Sequence, residues 1–272
     1  MGRTVAVIVV THNSSSCLGQ CLQALSVQSE KLTEIVVVDS GSDDIAYLEQ
    51  LHRKYAFQLC LRKNIGFSRA NNEGVALLTT SVDYILFLNP DVFLPVSFIQ
   101  SALEIIEKNP TAGILSGKLL GYNLQEKQTT GRIDSTGVQR KIYGRWFDRG
   151  QGEKDLGQYN RVEDMKALCG ALLFCRNEAL QSLQTPVFDA DFFLYKEDIE
   201  LCLRLRKKGW SLLYHPDLIA YHCRGWQGER KEMSYFLRKT AASSELLLYR
   251  KHPSPYMAWA IFKYFLVTVF RL

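Results

Sequence analysis

The chain has 272 residues, 47% of them hydrophobic and 22% charged, which is the balance of a folded globular protein and excludes a disordered one. Its 33 Lys and Arg against 28 Asp and Glu give a net charge of +5. Residues 226–272 hold eight of those basic residues and three of the acidic ones, so residues 1–225 are neutral. A nucleic-acid reader built on a basic face of the main body is thereby excluded, and the basic tail needs its own account. Seven cysteines, with no Cys-x-x-Cys pair, exclude a zinc ribbon or a dithiol centre and read as reduced thiols in a cytosolic setting.

Val5–Val10 is an unbroken, mostly β-branched apolar run, the pattern of a strand covered on both faces. The segment ends at Thr11-His12-Asn13, too short for a signal peptide. Ser14, Ser15 and Ser16 offer caps for a helix carrying Leu18, Cys21, Leu22 and Leu25. Ile35–Val38 is a second buried strand, followed by Asp39-Ser40-Gly41-Ser42 and a helix with Ile45, Leu48 and Leu51. Phe57–Leu61 predicts a third strand, Asn64–Phe67 a loop and Ala70–Leu78 a helix. Tyr84–Leu88 is a further strand, stopped by Asn89-Pro90-Asp91. Strand and helix alternating at this spacing predict an α/β fold, a mostly parallel Rossmann-like sheet with helices on both faces.

In such sheets ligands bind outside the carboxyl ends of the strands, and the residues at those ends are Thr11, Asp39, Asn64 and Asp91. The first strand–helix turn lacks Gly-x-Gly-x-x-Gly, and no P-loop occurs. A phosphate ligand would then be neutralised by a metal on a carboxylate, and Asp91 is the natural candidate. Asn89-Pro90-Asp91 reads equally well as a plain turn.

Residues 117–166 mix Gly, Gln, Lys, Asp and Arg without clear periodicity. Arg140, Arg145 and Trp146 are either sugar or diphosphate contacts there, or part of a solvated loop with one anchoring Trp. The densest acidic signal is Asp189, Asp191, Glu197 and Asp198, set among aromatics ahead of a buried helix with Ile199, Leu201, Cys202, Leu203 and Leu205. Glu197 and Asp198 suit the first turn electrostatically. One acid suffices for a cap, and a carboxylate in partly apolar surroundings can be tuned into a base. Leu212–Tyr214 and Leu218–Tyr221 predict two short strands, the second followed by His222 and Arg224.

Several ordered elements together resemble one family. They are Val9–Ser14, Val36–Asp44, Asn64-Ile65-Gly66-Phe67-Ser68-Arg69-Ala70-Asn71-Asn72-Glu73-Gly74, Leu86–Asp91, Gly170-Ala171, Phe192–Arg204 and His222-Cys223-Arg224-Gly225. The chain resembles the family 2 glycosyltransferases over roughly residues 4–225, specifically their rhamnosyltransferase-like group. The resemblance implies a GT-A fold, a nucleotide-sugar donor and a divalent metal, Mn2+ or Mg2+. By matched position, Thr11, Asn13, Asp39, Asn64 and Asn89 would line the nucleotide. Asp91 would bind the metal, with Asn89 in place of the first acid of the common Asp-x-Asp pattern and His222 as a further ligand. Asp198 matches the catalytic base, with Glu197 in support. Gly170, Asp189, Asp191 and Arg224 would meet donor or acceptor sugar, although Ala190 stands where the family commonly has Glu.

One base with in-line attack implies inversion at the anomeric carbon. The donor favoured by the resemblance is dTDP-L-rhamnose, with a UDP-sugar such as UDP-galactofuranose as alternative. The acceptor is a saccharide, free or lipid-linked, in cell-surface polysaccharide synthesis. Other readings are a sugar-nucleotide nucleotidyltransferase, whose Gly-rich basic loop is missing after the first strand, and a catalytically dead sugar-binding subunit. Residues 1–110 are assigned to the nucleotide-sugar-binding half, 111–225 to the acceptor-binding half of the same domain, and 226–272 to a C-terminal helical extension.

In that extension Glu229–Arg250 predicts one amphipathic helix, which His252-Pro253-Ser254-Pro255 breaks. Tyr256–Leu272 is strongly apolar apart from Lys263 and the terminal Arg271. At about 1.5 Å per residue it is short for a span and suits a helix lying in a membrane interface. The segment is read as a peripheral attachment to the inner face of the plasma membrane. Packing on the domain, or on a second copy in a homodimer, is the alternative.

Overall fold

A computed structural model describes residues 2–223 and 234–271. Its framework is a mixed sheet whose first four strands are parallel. β1 (Val5–Thr11) is buried at every position, as its apolar run requires. β2 (Glu34–Ser40) and β4 (Tyr84–Leu88) flank β1, and β3 (Gln58–Arg62) lies beyond β2. The register pairs Thr11 with Asp39 and Val9 with Leu88, so the polar strand ends share one edge of the sheet. Between the strands run α1 (Leu18–Ser26), α2 (Ala46–Lys54) and α3 (Phe67–Ala76). α1 starts without a side-chain cap: the Ser14 hydroxyl bonds the His12 carbonyl instead.

The sheet continues past position 110. After β5 (Val92–Phe93) and α4 (Phe98–Glu107), β6 (Ala112–Asn123) and β7 (Gln128–Ser135) form a long antiparallel pair. β8 (Val138–Arg140) and β9 (Trp146–Asp148) make a separate small ribbon, and β10 (Glu163–Asp164) lies at the sheet edge. Residues 117–166 therefore contain strands joined by turns, not one irregular loop. Their sequence hid this because the first five residues of β7 face solvent and carry no apolar period.

β11 (Leu172–Arg176) runs antiparallel between β4 and β6, and α5 (Asn177–Gln181) and α6 (Glu197–Lys207) follow. β12 (Ser211–His222) is one strand where the sequence predicts two. Its register on β6 shifts between His215 and Ile219, around Pro216, which has no N–H to give the ladder. The full order along the sheet is β10-β12-β6-β11-β4-β1-β2-β3.

The tail folds back on the domain as α7 (Tyr235–Lys251) and α8 (Met257–Val269). α7 begins six residues later than expected, where Ser234 accepts a bond from the Leu237 N–H, and Glu229–Met233 lie outside the described residues. The Ser244 hydroxyl bonds the Leu194 carbonyl at 2.8 Å, and Tyr249 bonds the Gly144 carbonyl. Lys263 on α8 pairs with the buried Glu245 on α7. Part of the tail's positive charge is thus used internally. Ile261, Phe262, Phe265 and Val269 nevertheless remain more than half exposed, at helical spacing on one face. Among the described residues no helix is long and apolar enough to cross a membrane.

Candidate active site

Two cavities meet at the carboxyl edge of the sheet. One, of about 570 Å3, is lined by Thr11, Asn13, Ser40, Asn64, Asn89 and Asp91. The other, of about 410 Å3, is lined by Asn89, Asp91, Trp146, Gly170, Asp198 and His222. Asn89 and Asp91 border both, so an extended ligand with a charged middle would cross from one to the other at that point.

The sheet register explains the meeting. β11 is antiparallel to β4 with Leu172 opposite Leu88, so Gly170 and Ala171 lie beside the end of β4. The Asn89 N–H bonds the Ala171 carbonyl at 2.9 Å. β5 pairs with the end of β12, Val92 opposite His222, which brings the His222 Nε2 to 3.3 Å from an Asp91 oxygen. On its other side, the His222 Nδ1 lies 2.7 Å from the carboxylate of Asp134, a fully buried residue of β7 that no sequence motif indicated. Burial pulls the imidazole pKa down, but hydrogen bonds to Asp134 and Asp91 outweigh it and raise it to about 9.

The residues present fit a divalent cation. Asp91 and His222 are close enough to share one, and the Asn89 Oδ1 beside them is buried without a hydrogen-bond partner among the described residues. No group of three or more His, Cys, Asp or Glu side chains converges among the described residues. A cation here would complete its shell from ligand phosphates and water, the habit of Mg2+ in nucleotide sites.

On the first cavity's side the expected residues divide into lining and scaffold. Thr11, Asn13 and Asn64 line it. Asn13 also braces two loops, since its amide exchanges two hydrogen bonds with Asp43, at 2.9 and 2.8 Å. Asp39, expected to contact the nucleotide, is 1% exposed and turned into its own loop. It accepts bonds from the Gly41 and Ser42 N–H groups and from the Ser42 hydroxyl. In this conformation it shapes the loop, and Ser40 lines the cavity in its place.

Asp198 stands in the first turn of α6, half-buried at the second cavity. The Gly170 N–H donates to one of its oxygens at 2.9 Å and the Ile199 N–H to the other at 2.8 Å. Gly170 must be glycine, because a Cβ there would stand 2.9 Å from the Asp198 Cβ. Glu197 is buried beside it, and its Oε2 has no hydrogen-bond partner among the described residues. Burial, then the neighbouring Asp198, raises the Glu197 pKa to about 8. Burial also raises that of Asp198, opposed by the Lys196 charge and the two backbone N–H bonds. With those two donors Asp198 is the better-stabilised anion of the pair, and burial favours the protonated form most at Glu197.

The loop before α6 is clamped from two sides. Tyr195 and Lys196 both have φ of 72°, a left-handed backbone that non-glycine residues hold only when their surroundings enforce it. From the sheet side, the Phe67 N–H bonds the Phe193 carbonyl at 2.7 Å, Arg69 bonds the Ala190 carbonyl, and the Asn72 amide exchanges two bonds with Phe188. Gly66, at φ 81°, leaves room for this contact, since a Cβ would sit 2.5 Å from the Phe193 oxygen. The Asn64–Gly74 motif therefore serves mostly to anchor the acidic loop. From the tail side, Lys251 pairs with both Asp189 and Asp191 at 2.6 Å. Neither of these acids, expected to hold sugar hydroxyls, lines the second cavity; in this conformation both are paired with Lys251. Arg140 is not a cavity contact either: it lies 4.2 Å from the Tyr256 ring centroid and 5.2 Å from Trp146, behind the cavity wall. Arg224 lies outside the described residues.

Comparison with known proteins bears on the family and the fold. The family model described as "Glycosyl transferase family 2" matches residues 6–173. The chain is 25% identical over 238 residues to the N-acetylglucosaminyl-diphospho-decaprenol L-rhamnosyltransferase of Mycobacterium tuberculosis, covering 82% of this chain and 76% of that one. It is 26% identical over 231 residues to the rhamnosyltransferase WbbL of Escherichia coli, covering 80% and 83%. In fold it is similar to the mannosyltransferase PcManGT of Pyrobaculum calidifontis, solved with GDP-Man and Mn2+. That superposition has a TM-score of 0.64 at 18% identity and covers 99% of this chain and 71% of that one.

Proposed function

Because the chain belongs to glycosyl transferase family 2, we propose that it is an inverting, metal-dependent transferase that moves a sugar from a nucleoside diphosphate to a saccharide hydroxyl. The observation that carries this reading is the junction of the two cavities at Asn89 and Asp91. The nucleoside occupies the cavity of Thr11, Asn13, Ser40 and Asn64. The diphosphate lies over Asp91 and His222. The sugar enters the second cavity beside Gly170 and Trp146, where Asp198 faces the acceptor.

Asp91, His222 and Asn89 would hold a divalent cation, which when bound neutralises the diphosphate and makes it a good leaving group. Asp198 takes the proton from the acceptor hydroxyl as the new glycosidic bond forms. With Asp198 acting as base and no covalent intermediate formed, the acceptor attacks directly and the anomeric configuration inverts. Protonated Glu197 donates a hydrogen bond to the acceptor.

The two similar rhamnosyltransferases favour L-rhamnose from dTDP-rhamnose as donor and a lipid-linked saccharide as acceptor. A thermal-shift screen with Mn2+ and dTDP-rhamnose, UDP-glucose, UDP-galactofuranose or GDP-mannose tests the donor. The largest stabilisation is expected with dTDP-rhamnose, and stabilisation by another nucleotide sugar alone would reject that choice.

A lipid-linked acceptor calls for a surface at the membrane, and the exposed face of α8, with Ile261, Phe262, Phe265 and Val269, supports attachment there. The double substitution Phe262→Ser, Phe265→Ser should abolish flotation with vesicles of anionic phospholipid. It leaves Tyr256 and its contact with Arg140 in place, and continued flotation would refute this face as the anchor.

A further inference from the structure

Asp134 is a charged residue behind the candidate cation site that no motif indicated. It lies near the end of β7, 0% exposed, between the buried Ile133 and Ser135. Burying a carboxylate costs several kcal/mol unless it is paired and hydrogen-bonded. Asp134 meets the Nδ1 of His222 at 2.7 Å, and His222 is itself 2% exposed.

The backbone alone does not determine which ring nitrogen His222 presents to Asp91. Pairing with Val92 fixes where the chain ends β12, but rotation about the Cβ–Cγ bond would exchange the two sides of the ring. A carboxylate on one side removes that freedom. It holds Nδ1 as the N–H donor, so Nε2 is the nitrogen turned toward Asp91, 3.3 Å away, where a cation would take the place of the Nε2 proton.

We propose that Asp134 is a positioning residue: through its hydrogen bond to His222 Nδ1 it fixes the ring so that Nε2 and Asp91 hold one divalent cation together. This rests on the reading of Asp91 and His222 as the residues that hold the cation. Asp134 touches neither cation nor substrate. Its contribution is to orient and strengthen the imidazole ligand, as outer carboxylates do behind metal-bound histidines.

The test is an electron paramagnetic resonance titration of Mn2+ into the full-length protein with UDP, and separately with dTDP. Wild type, His222→Ala and Asp134→Asn are compared, with melting temperatures taken in the absence of metal. His222→Ala and Asp134→Asn should each weaken Mn2+ binding about 10- to 100-fold. A purely structural Asp134 would lower the melting temperature and leave Mn2+ affinity within twofold of wild type. That result, alongside weakened binding in His222→Ala, would overturn the role of Asp134 and keep the cation site. Unchanged binding in His222→Ala would overturn the cation site and the inference with it. If Asp134→Asn does not fold, the wild-type protein still decides the question. Nitrogen-15 NMR of its five histidines, with Mg2+ and the same nucleotides, should show His222 protonated at Nδ1 and bare at Nε2. The opposite tautomer would refute the proposal.

Discussion

The two cavities that meet at Asp91 are built in different ways. The first cavity, proposed for the nucleoside, belongs to β1–β4, where parallel neighbours deliver Thr11, Asp39 and Asn89 to one edge through local strand–turn–helix units. Its loops brace one another over short distances, through Asn13 with Asp43 and Asp39 with Ser42. The reaction side is assembled from parts distant in sequence. Gly170 precedes β11, Asp198 opens α6, His222 ends β12 and Asp134 lies on β7, while α3 and the tail hold the loop between them. Binding can therefore persist where positioning fails, and substitutions on the reaction side should separate the two.

A sharp separation is expected at Gly170. The Cβ of Gly170→Ala would press on the Asp198 Cβ, displacing the carboxylate and removing or lengthening its N–H bond. A misplacement of about 1 Å typically costs on the order of 100-fold in rate. Steady-state kinetics should show kcat reduced by about that factor, with nucleotide affinity unchanged by calorimetry. A parallel loss of nucleotide binding would mean that the two sides are not independent.

Lys251→Met is expected to act more weakly. It unties α7 from Asp189 and Asp191, a partly exposed pairing worth about 1 kcal/mol. The melting temperature should fall by about 2–4 °C and the acceptor KM rise several-fold, with donor affinity constant. An unchanged KM would show that the tail does not help to hold the acidic loop.

The effect expected at Glu197 depends on pH. Its pKa rises from the usual 4.5 to about 8, so between those values the folded protein keeps a proton that the unfolded chain has released. Stability therefore falls as pH rises through this window, and the penalty is full above pH 8. Glu197→Gln removes it. The variant's melting temperature should match wild type near pH 5 and exceed it near pH 9, by an amount equivalent to about 1 kcal/mol or more. Parallel melting curves at the two pH values would reject the buried, protonated Glu197.

The same contrast explains what could be read from the sequence. β1, β2 and β4 announce themselves as unbroken apolar runs, and each strand end carries a polar residue, so the sheet edge and Asp91 were legible. Where Asp39 points was not, because strand pattern does not tell a ligand from the backbone N–H groups of Gly41 and Ser42 that capture its carboxylate. Asp198 was singled out as the base through the family resemblance. Asp134 was not, because a single polar residue on a largely solvated strand carries no signal until β12 folds against its neighbour. The pairing of Asp189 and Asp191 with Lys251 was not legible, because Lys251 lies some sixty residues away. The tail's apolar, basic pattern gave the helices but could not show that Tyr249, Lys251 and Tyr256 are part of the domain.

The central claim is that Asp198 is the base of a site whose nucleotide is held elsewhere. Asp198→Asn tests it most directly when transfer and nucleotide binding are measured on the same preparation, with Mn2+ present. Transfer should fall by a factor of about 100 to 10,000, as for loss of a general base, while nucleotide affinity stays within twofold of wild type. Transfer at the wild-type rate in that variant would contradict the account.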